Sequence, residues 1–282
     1  MTILLTGGSG FIGTNLLKEL EKNHKNITLI GRKNHNKHKT FICDFIKDDI
    51  PEDAFNNIDT VYHLAGYTPE LNRKISSNLY NKVNVKTVLK IAQISLNRKV
   101  KNFIFLSSVK AKNSLDIYGI SKKQAEDGLL KLSKNSDMNI IVIRPALVYG
   151  GQVKGNLKLM IDGINKGWFP PLPETKNKKS MIHIDDLVSA ILFLSNKSNL
   201  KQKIFIATDG NSYSSAEIYN TLCFVLGKVP PKWRIPKVFF SIISHIHPSI
   251  KFMVEKLFGN DFYSSENLQK LGFKPKKSLK DI

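Results

Sequence analysis

Two cysteines, Cys43 and Cys223, are all that 282 residues contain. They stand far apart and fit neither a disulfide framework nor a zinc pattern, so buried free thiols are expected. No apolar run reaches the roughly 18–20 residues that a membrane-spanning helix needs. The opening Met1-Thr2-Ile3-Leu4-Leu5-Thr6 reads directly as a strand. It carries no basic leader and no cleavage site, which predicts a cytoplasmic protein without a secretory signal, with the inner face of the membrane as a further location to weigh. Internal repeats and low-complexity linkers are missing too. Carboxylates are scarce, 23 against 43 lysines and arginines, for a net charge of +20. That surplus has two readings, a polyanionic partner or lysine and asparagine spread over solvated surfaces. Lysine far outnumbers arginine and no arginine–aromatic cluster is present, so a nucleic-acid partner is not expected. The positive field would still help to draw in a diphosphate.

What is there is an alternation of strands and helices. Ile3–Thr6, Ile27–Ile30, Thr60–Leu64, Phe103–Leu106, Ile140–Ile143 and Ile204–Ala207 are short, apolar and rich in β-branched or aromatic residues, as strands buried on both faces should be. Amphipathic stretches at Phe11–Leu20, Asn81–Leu96 and Tyr118–Leu132 lie between them. The pattern predicts an α/β fold, a doubly wound parallel sheet built of βαβ units. From about Gly151 the character changes to glycine, proline and lysine loops separating isolated helices. The expected division is a dinucleotide-binding domain over 1–150, to which a strand and helix from about 181–210 return, and a smaller C-terminal substrate lobe over 151–180 and 211–282, lying at the carboxyl edge of the sheet where ligands of open α/β sheets bind.

Three motifs carry chemistry. Gly7, Gly10 and Gly13 form a G-x-x-G-x-x-G loop directly after a strand and opening a helix. Gly7 permits the turn, Gly10 lets backbone approach a pyrophosphate, and Gly13 lets the helix pack closely, with the phosphates at the helix's positive end. At the end of the second strand, where NAD sites place an Asp or Glu for the ribose 2′-hydroxyl, stand Gly31-Arg32-Lys33. A guanidinium there suits a 2′-phosphate, so NADP(H) is expected ahead of NAD(H); a solvated basic turn is the plainer alternative. Third, Ser107-Ser108 follows a strand, and Tyr118 and Lys122 follow four apart on one helical face. The ammonium is expected to stabilise tyrosinate and lower the phenol's pKa towards the working range of a general acid–base, while Ser108 orients the substrate oxygen.

Taken together, TGGSGFIG, HLAG (His63–Gly66), FIFLSS, YGISK, Arg144-Pro145 with Val148-Tyr149-Gly150, the segment Ser180–Leu187 and Leu271–Pro275 resemble the extended short-chain dehydrogenase/reductases, the NAD-dependent epimerase/dehydratase family. The likeness runs over nearly the whole chain. It implies a Rossmann-type sheet with Ser108, Tyr118 and Lys122 as catalytic residues. By the same resemblance Gly7, Gly10, Phe11, Ile12, Gly13, Arg32, Asp44, Leu64, Ala65, Gly66, Asn84, Tyr118 and Lys122 would bind the dinucleotide, Asp44 by reaching the adenine. Pro145 and Val148 would lie at the cofactor or the nucleotide-sugar. Asn156, Lys179 and Ser180, with Ser108 and Tyr118, are the implied substrate residues. Ser108-Val109-Lys110, Gly155-Asn156, Pro171-Leu172-Pro173 and Thr208-Asp209-Gly210 look like enzymes of bacterial surface-polysaccharide clusters that reduce UDP-4-keto-6-deoxy-N-acetylhexosamines or epimerise UDP-sugars at C4. Reduction with NADPH is the first expectation and 4-epimerisation the second; a non-catalytic dinucleotide sensor or scaffold is the alternative from another class. A homodimer is implied by the same likeness. One departure stands out: only nine residues separate Ser108 from Tyr118, where extended members insert a longer loop, which predicts a more open sugar pocket.

Other residues invite plainer readings. His63 beside HLAG is expected to pack, and His183 with Asp185-Asp186 lacks the further ligands of a metal site, leaving Asp185 as a helix N-cap. His245 and His247 receive no function. Val238–Phe258, rich in Phe and Ile with lysines, predicts either a helix pair in the lobe's core or an amphipathic surface for a membrane.

Overall fold

The computed structural model describes every residue except 25, 70–75, 114–115, 135, 152, 154, 199 and 246–247, and the side chains of 248, 249 and 252. Of the sequence expectations, Ile246 and His247 therefore lie outside the described residues. The chain divides into two compact units.

The first unit comprises Met1–Pro145, Leu187–Ala207 and Asn267–Phe273. Its strands are β1 (Ile3–Thr6), β2 (Ile27–Gly31), β3 (Lys39–Ile42), β4 (Thr60–His63), β5 (Asn102–Leu106), β6 (Asn139–Pro145) and, further on, β9 (Ile204–Ala207). They form one seven-stranded sheet in the order β3-β2-β1-β4-β5-β6-β9, parallel throughout. Strand order reverses at β1, whose neighbours are β2 on one side and β4 on the other, with Thr6 level with Ile30 and His63. The crevice beyond the carboxyl ends at such a reversal is where ligands of open parallel sheets bind.

Alternate residues of each strand face opposite sides. Leu4, Val61, Phe103, Phe105, Ile140 and Val142 pack with Val88, Ile91, Ala125 and Leu129 of two covering helices in one cluster. On the other side Tyr62 reaches a helix from the chain's later part, its hydroxyl donating to Ser195 Oγ at 2.9 Å. The covering helices are α1 (Phe11–Asn23), α2 (Ser77–Tyr80), α3 (Thr87–Asn97), α4 (Ile117–Lys134) and most of α6 (Ile184–Ser195).

Two sequence expectations need correcting here. β3 went unpredicted because it is an edge strand with exposed or half-buried residues and a lysine at its start, so it lacks the continuous apolar run of its neighbours. The single helix expected over Asn81–Leu96 begins earlier, at Ser77, and its residues Asn81–Lys86 form a π-helical turn before α3. Thr87 Oγ1 donates to the Lys82 carbonyl at 3.0 Å within this widened turn.

The second unit comprises Ala146–Asp186, Thr208–Glu266 and Lys274–Ile282. Its β7 (Leu147–Tyr149) and β8 (Met181–His183) pair in parallel; both are too short to announce themselves as apolar runs. α5 (Gly155–Lys166), α7 (Ser215–Val225), α8 (Lys237–Ser244) and α9 (Pro248–Phe258) complete it, with α10 (Glu266–Lys270) following at its boundary. Tyr149, Leu157, Met160, Leu172, Tyr219 and Phe240 lie in its core. α7 opens with a capping box between Ser214 and Glu217. α6 starts at Ile184, so Asp185 sits in the first turn and is not the N-cap; the preceding His183 plays that part, its Nδ1 accepting from the Asp185 N–H at 3.2 Å. Cys43 and Cys223 are free and buried. No helix among the described residues is long and apolar enough to cross a membrane, and no metal-binding group of His, Cys, Asp or Glu is found among them.

Candidate active site

The glycine loop after β1 is built by close backbone contact. Gly7 has φ +76°, and a Cβ there would lie 2.6 Å from the Ala65 nitrogen in the loop after β4. A Cβ at Gly13 would lie 2.0 Å from the Gly7 carbonyl oxygen, and the Gly10 N–H donates to that oxygen at 3.0 Å. Gly13 thus lets α1 pack on the turn itself. Gly10 caps α1 without a side-chain hydrogen bond, and the first turn has no acidic residue. Its N–H groups and the positive end of the helix dipole are offered to an anion. A turn that admits no Cβ at Gly7 or Gly13, at a helix N-terminus and against the Leu64-Ala65 backbone, fits a dinucleotide diphosphate.

Asn84 lies in the π-helical turn and is fully buried. Its Oδ1 accepts from the Tyr67 N–H at 2.8 Å, and its Nδ2 donates to the Tyr67 carbonyl at 3.0 Å and to Ser121 Oγ at 3.1 Å. Ser121 Oγ in turn donates to the Tyr118 carbonyl at 2.7 Å. One amide therefore ties the loop after β4 to the first turn of α4. A Cβ on Gly66 would fall 3.1 Å from Asn84 Oδ1 and 3.4 Å from Lys122 Nζ, which places Gly66, Asn84 and Lys122 together.

Ser108 and Tyr118 come together in this unit, with Lys122 one turn further along the same helix. Ser108 follows β5 and heads a 3-10 turn, its Oγ accepting from the Lys110 N–H at 3.2 Å. Gly119 brings α4 against that turn: a Cβ there would lie 2.6 Å from the Lys110 carbonyl oxygen. Asp116 Oδ1 accepts from the Gly119 N–H at 2.7 Å and fixes the helix start. The half-buried Tyr118 is hydrogen-bonded to Ser108 and stands 6.0 Å, ring to ring, from Tyr80. Burial pushes its phenol up to about 12, against the easing effect of Ser108.

Lys122 is 4% exposed. Its Nζ donates to the Leu106 carbonyl at 2.9 Å and lies 4.7 Å from the centre of the Phe105 ring. Burial pulls the ammonium down to about 8, and Glu126 opposes this. The expectation that Lys122 lowers the pKa of Tyr118 is thus corrected: burial of the phenol dominates, and Ser108 is the group that favours its ionisation. Glu126, a further turn along α4, is fully buried. It accepts from Arg144 Nε at 2.9 Å, from the same guanidinium's Nη2, and from Ser107 Oγ. Sequence reasoning passed over Gly119, Ser121 and Glu126. The i, i+4 continuation from Lys122 to Glu126 was the signal that pointed to the last of these.

The remaining candidates divide. Arg32 and Lys33 are exposed at the end of β2. Asp44 follows β3, and its Oδ1 accepts from the Ile46 N–H at 3.0 Å, a local turn. Pro145 ends β6 in the first unit, whereas Val148 (on β7), Asn156, Lys179 and Ser180 belong to the second. Asn156 is exposed in the first turn of α5. Lys179 Nζ donates to the carbonyls of Lys256 and Gly259 at 2.8 and 3.2 Å. Ser180 Oγ, buried, donates to the Tyr263 carbonyl and accepts from its N–H. Both side chains hold the second unit's own backbone. His63 is buried, packed near Phe103 and Phe105, with Nδ1 2.8 Å from Thr6 Oγ1. Burial drives its imidazole down to about 3, with Lys122 adding to the effect, consistent with packing.

Known proteins resemble this chain along its length. It is 30% identical to the UDP-glucose 4-epimerase of Vibrio cholerae over 96% of this chain and 85% of that protein. It is 28% identical to the N-acetyl-alpha-D-glucosaminyl-diphospho-ditrans,octacis-undecaprenol 4-epimerase of Escherichia coli O157:H7 over 68% of this chain and 62% of that one. The solved UDP-glucuronic acid 4-epimerase of Bacillus cereus, in complex with NAD, superposes with a TM-score of 0.79 at 19% identity, covering 100% of this chain and 93% of that one; at that identity the likeness shows the fold. Residues 3–207 match the model of the NAD dependent epimerase/dehydratase family, and with the glycine cradle and the Ser108–Tyr118–Lys122 group in place the chain belongs to that family.

Proposed function

We propose that the protein is a nucleotide-sugar 4-epimerase, taking a UDP-hexose or UDP-N-acetylhexosamine. The observation that carries this reading is the Ser108–Tyr118–Lys122 group in the same unit as the glycine cradle. Similarity to a UDP-glucose 4-epimerase over 96% of the chain supports it.

A bound nicotinamide dinucleotide would supply the place where the C4 hydride is stored and from which it returns. Gly7, Gly10 and the first turn of α1 would hold its diphosphate. Ser108 would hydrogen-bond the sugar's O4 and set its angle. As hydride leaves C4, Tyr118, with its phenol ionised, would take the O4 proton, leaving a 4-ketone; when hydride returns to the opposite face, the phenol would give the proton back. The ledger closes with no net oxidation. Ser108 is also the group that eases ionisation of that phenol; Lys122, one turn further on, is the second ionisable group on this face of α4, and Glu126, held by Arg144 and Ser107, favours its charge. The intact trio argues against a non-catalytic sensor, which has no need of it.

A second reading is reduction of a UDP-4-keto sugar with NADPH, which the exposed Arg32 and Lys33 at the end of β2 favour. Native mass spectrometry of the purified protein separates the two. Retained NAD, with interconversion of UDP-glucose and UDP-galactose or of their N-acetylamino counterparts by NMR, is the expected result. Empty protein that consumes NADPH stoichiometrically with a UDP-4-keto-6-deoxy-N-acetylhexosamine would overturn epimerisation in favour of reduction. The implied homodimer would use α3 and α4, beside which Leu89, Leu96, Gly128 and Leu132 line a surface groove of about 420 Å³.

A further inference from the structure

The helix α8, Lys-Val-Phe-Phe-Ser-Ile-Ile-Ser over Lys237–Ser244, is apolar on more of its circumference than the second unit covers. Phe240 is buried in that unit's core, edge-on to Phe258 at 5.1 Å between ring centres, and Ile243 packs against the same cluster. Val238, Phe239 and Ile242 are exposed by 68%, 52% and 62%. Positions 238 and 242 are four apart, and 239 and 242 three apart, so these residues form one outward stripe. An α-helix with a second apolar face meets a second apolar phase. The segment leading into α8 presents Trp233, and α9 presents Met253, both largely exposed.

Charge decides what that phase is. From residue 218 to residue 254 the sequence has no carboxylate, while Lys232, Arg234, Lys237 and Lys251 stand around the stripe in sequence. Two of these reach an acid outside the segment, Arg234 to Glu174 at 3.4 Å and Lys251 to Glu255 at 4.0 Å. A second copy of this chain would bring two basic faces together, and nucleic acid would leave the apolar stripe in water. An anionic lipid surface satisfies both features: exposed Trp, Phe and Ile enter the headgroup–acyl boundary while lysines meet lipid phosphates.

We propose that α8 and the segment before it dock the protein on a bilayer containing anionic phospholipid. The docking is peripheral and independent of the reaction assigned above.

The test is flotation of the full-length protein with vesicles of phosphatidylglycerol and phosphatidylcholine against vesicles of phosphatidylcholine alone. The wild type is expected to float with the anionic vesicles, with tryptophan emission shifted to the blue, and to release as salt rises. The double variant Phe239→Ser/Ile242→Ser and the double variant Lys232→Glu/Lys237→Glu are each expected to weaken binding at least about tenfold. Circular dichroism and an unchanged melting curve show that each variant is folded. Wild-type protein left at the bottom of the gradient overturns the proposal. So does equal flotation of both variants, equal binding to neutral vesicles, or an apolar stripe used instead for self-association, read as a wild-type oligomer in light scattering that Phe239→Ser/Ile242→Ser dissolves.

Discussion

The two units bury polar groups to different ends. In the second, Asp209 is 5% exposed and accepts from Tyr213 Oη at 2.7 Å, Tyr149 Oη at 3.3 Å and the Asn211 N–H at 3.0 Å. Asp186, equally buried, accepts from the Lys276 and Lys277 N–H groups. Each carboxylate is a node that several donors depend on. In the first, Lys122 is buried against the Leu106 carbonyl and the Phe105 ring, its ammonium pulled down to about 8 in spite of Glu126, and one turn before it on α4 stands a phenol pushed up to about 12. A group surrounded by dependants holds structure, whereas one held at a cost with few partners is available for chemistry.

The sharpest way to break that contrast is Tyr118→Phe. It should reduce turnover by about 10²–10⁴-fold while leaving dinucleotide retention and melting temperature unchanged; steady-state rates with native mass spectrometry read both, and unchanged turnover removes Tyr118 from the chemistry. Next comes Gly13→Ala, whose methyl would meet the Gly7 oxygen at 2.0 Å. A loss of about 3 kcal/mol or more of stability, together with the retained dinucleotide, is expected in urea titration. Asp209→Ala strips two tyrosine hydroxyls and a backbone N–H of their acceptor and should cost about 2–3 kcal/mol.

Lys122→Met should go the other way. In the folded protein the ammonium loses its proton near 8, while the unfolded chain keeps it to 10.5. Below 8 the fold bears the cost of a buried charge, and between 8 and 10.5 the unfolded state binds more protons, so wild-type stability rises with pH. The variant, inactive, should therefore be about 2 kcal/mol more stable at pH 7, an advantage that fades by pH 10. A less stable variant at pH 7 would erase the distinction between the units.

Much of this was legible in the sequence, for physical reasons. The five interior strands are continuous apolar runs because both their faces are covered, and the edge strand Ile204–Ala207 is apolar enough to read the same way. The glycine loop and the Tyr118–Lys122 spacing are local patterns whose geometry follows from backbone sterics and the helical repeat. The edge strand Lys39–Ile42 carries no such run. The π-helical turn at Asn81–Lys86 rests on contacts between Asn84 and the distant Tyr67 and Ser121, which no periodicity encodes. The phenol's environment was misjudged because spacing places Lys122 on the right face of α4 but cannot weigh its bond to Leu106 against the desolvation of Tyr118. Lys179 and Ser180 sit in a familiar motif, yet their polar atoms are taken up by the backbone around Lys256, Gly259 and Tyr263.

The imidazole at the end of β4 has a consequence for enzymology. Wedged among phenylalanines and driven down to about 3, His63 stays uncharged from mildly acid to alkaline solution. A kineticist plotting log kcat against pH should then find no step that belongs to His63 on the acid side of neutrality.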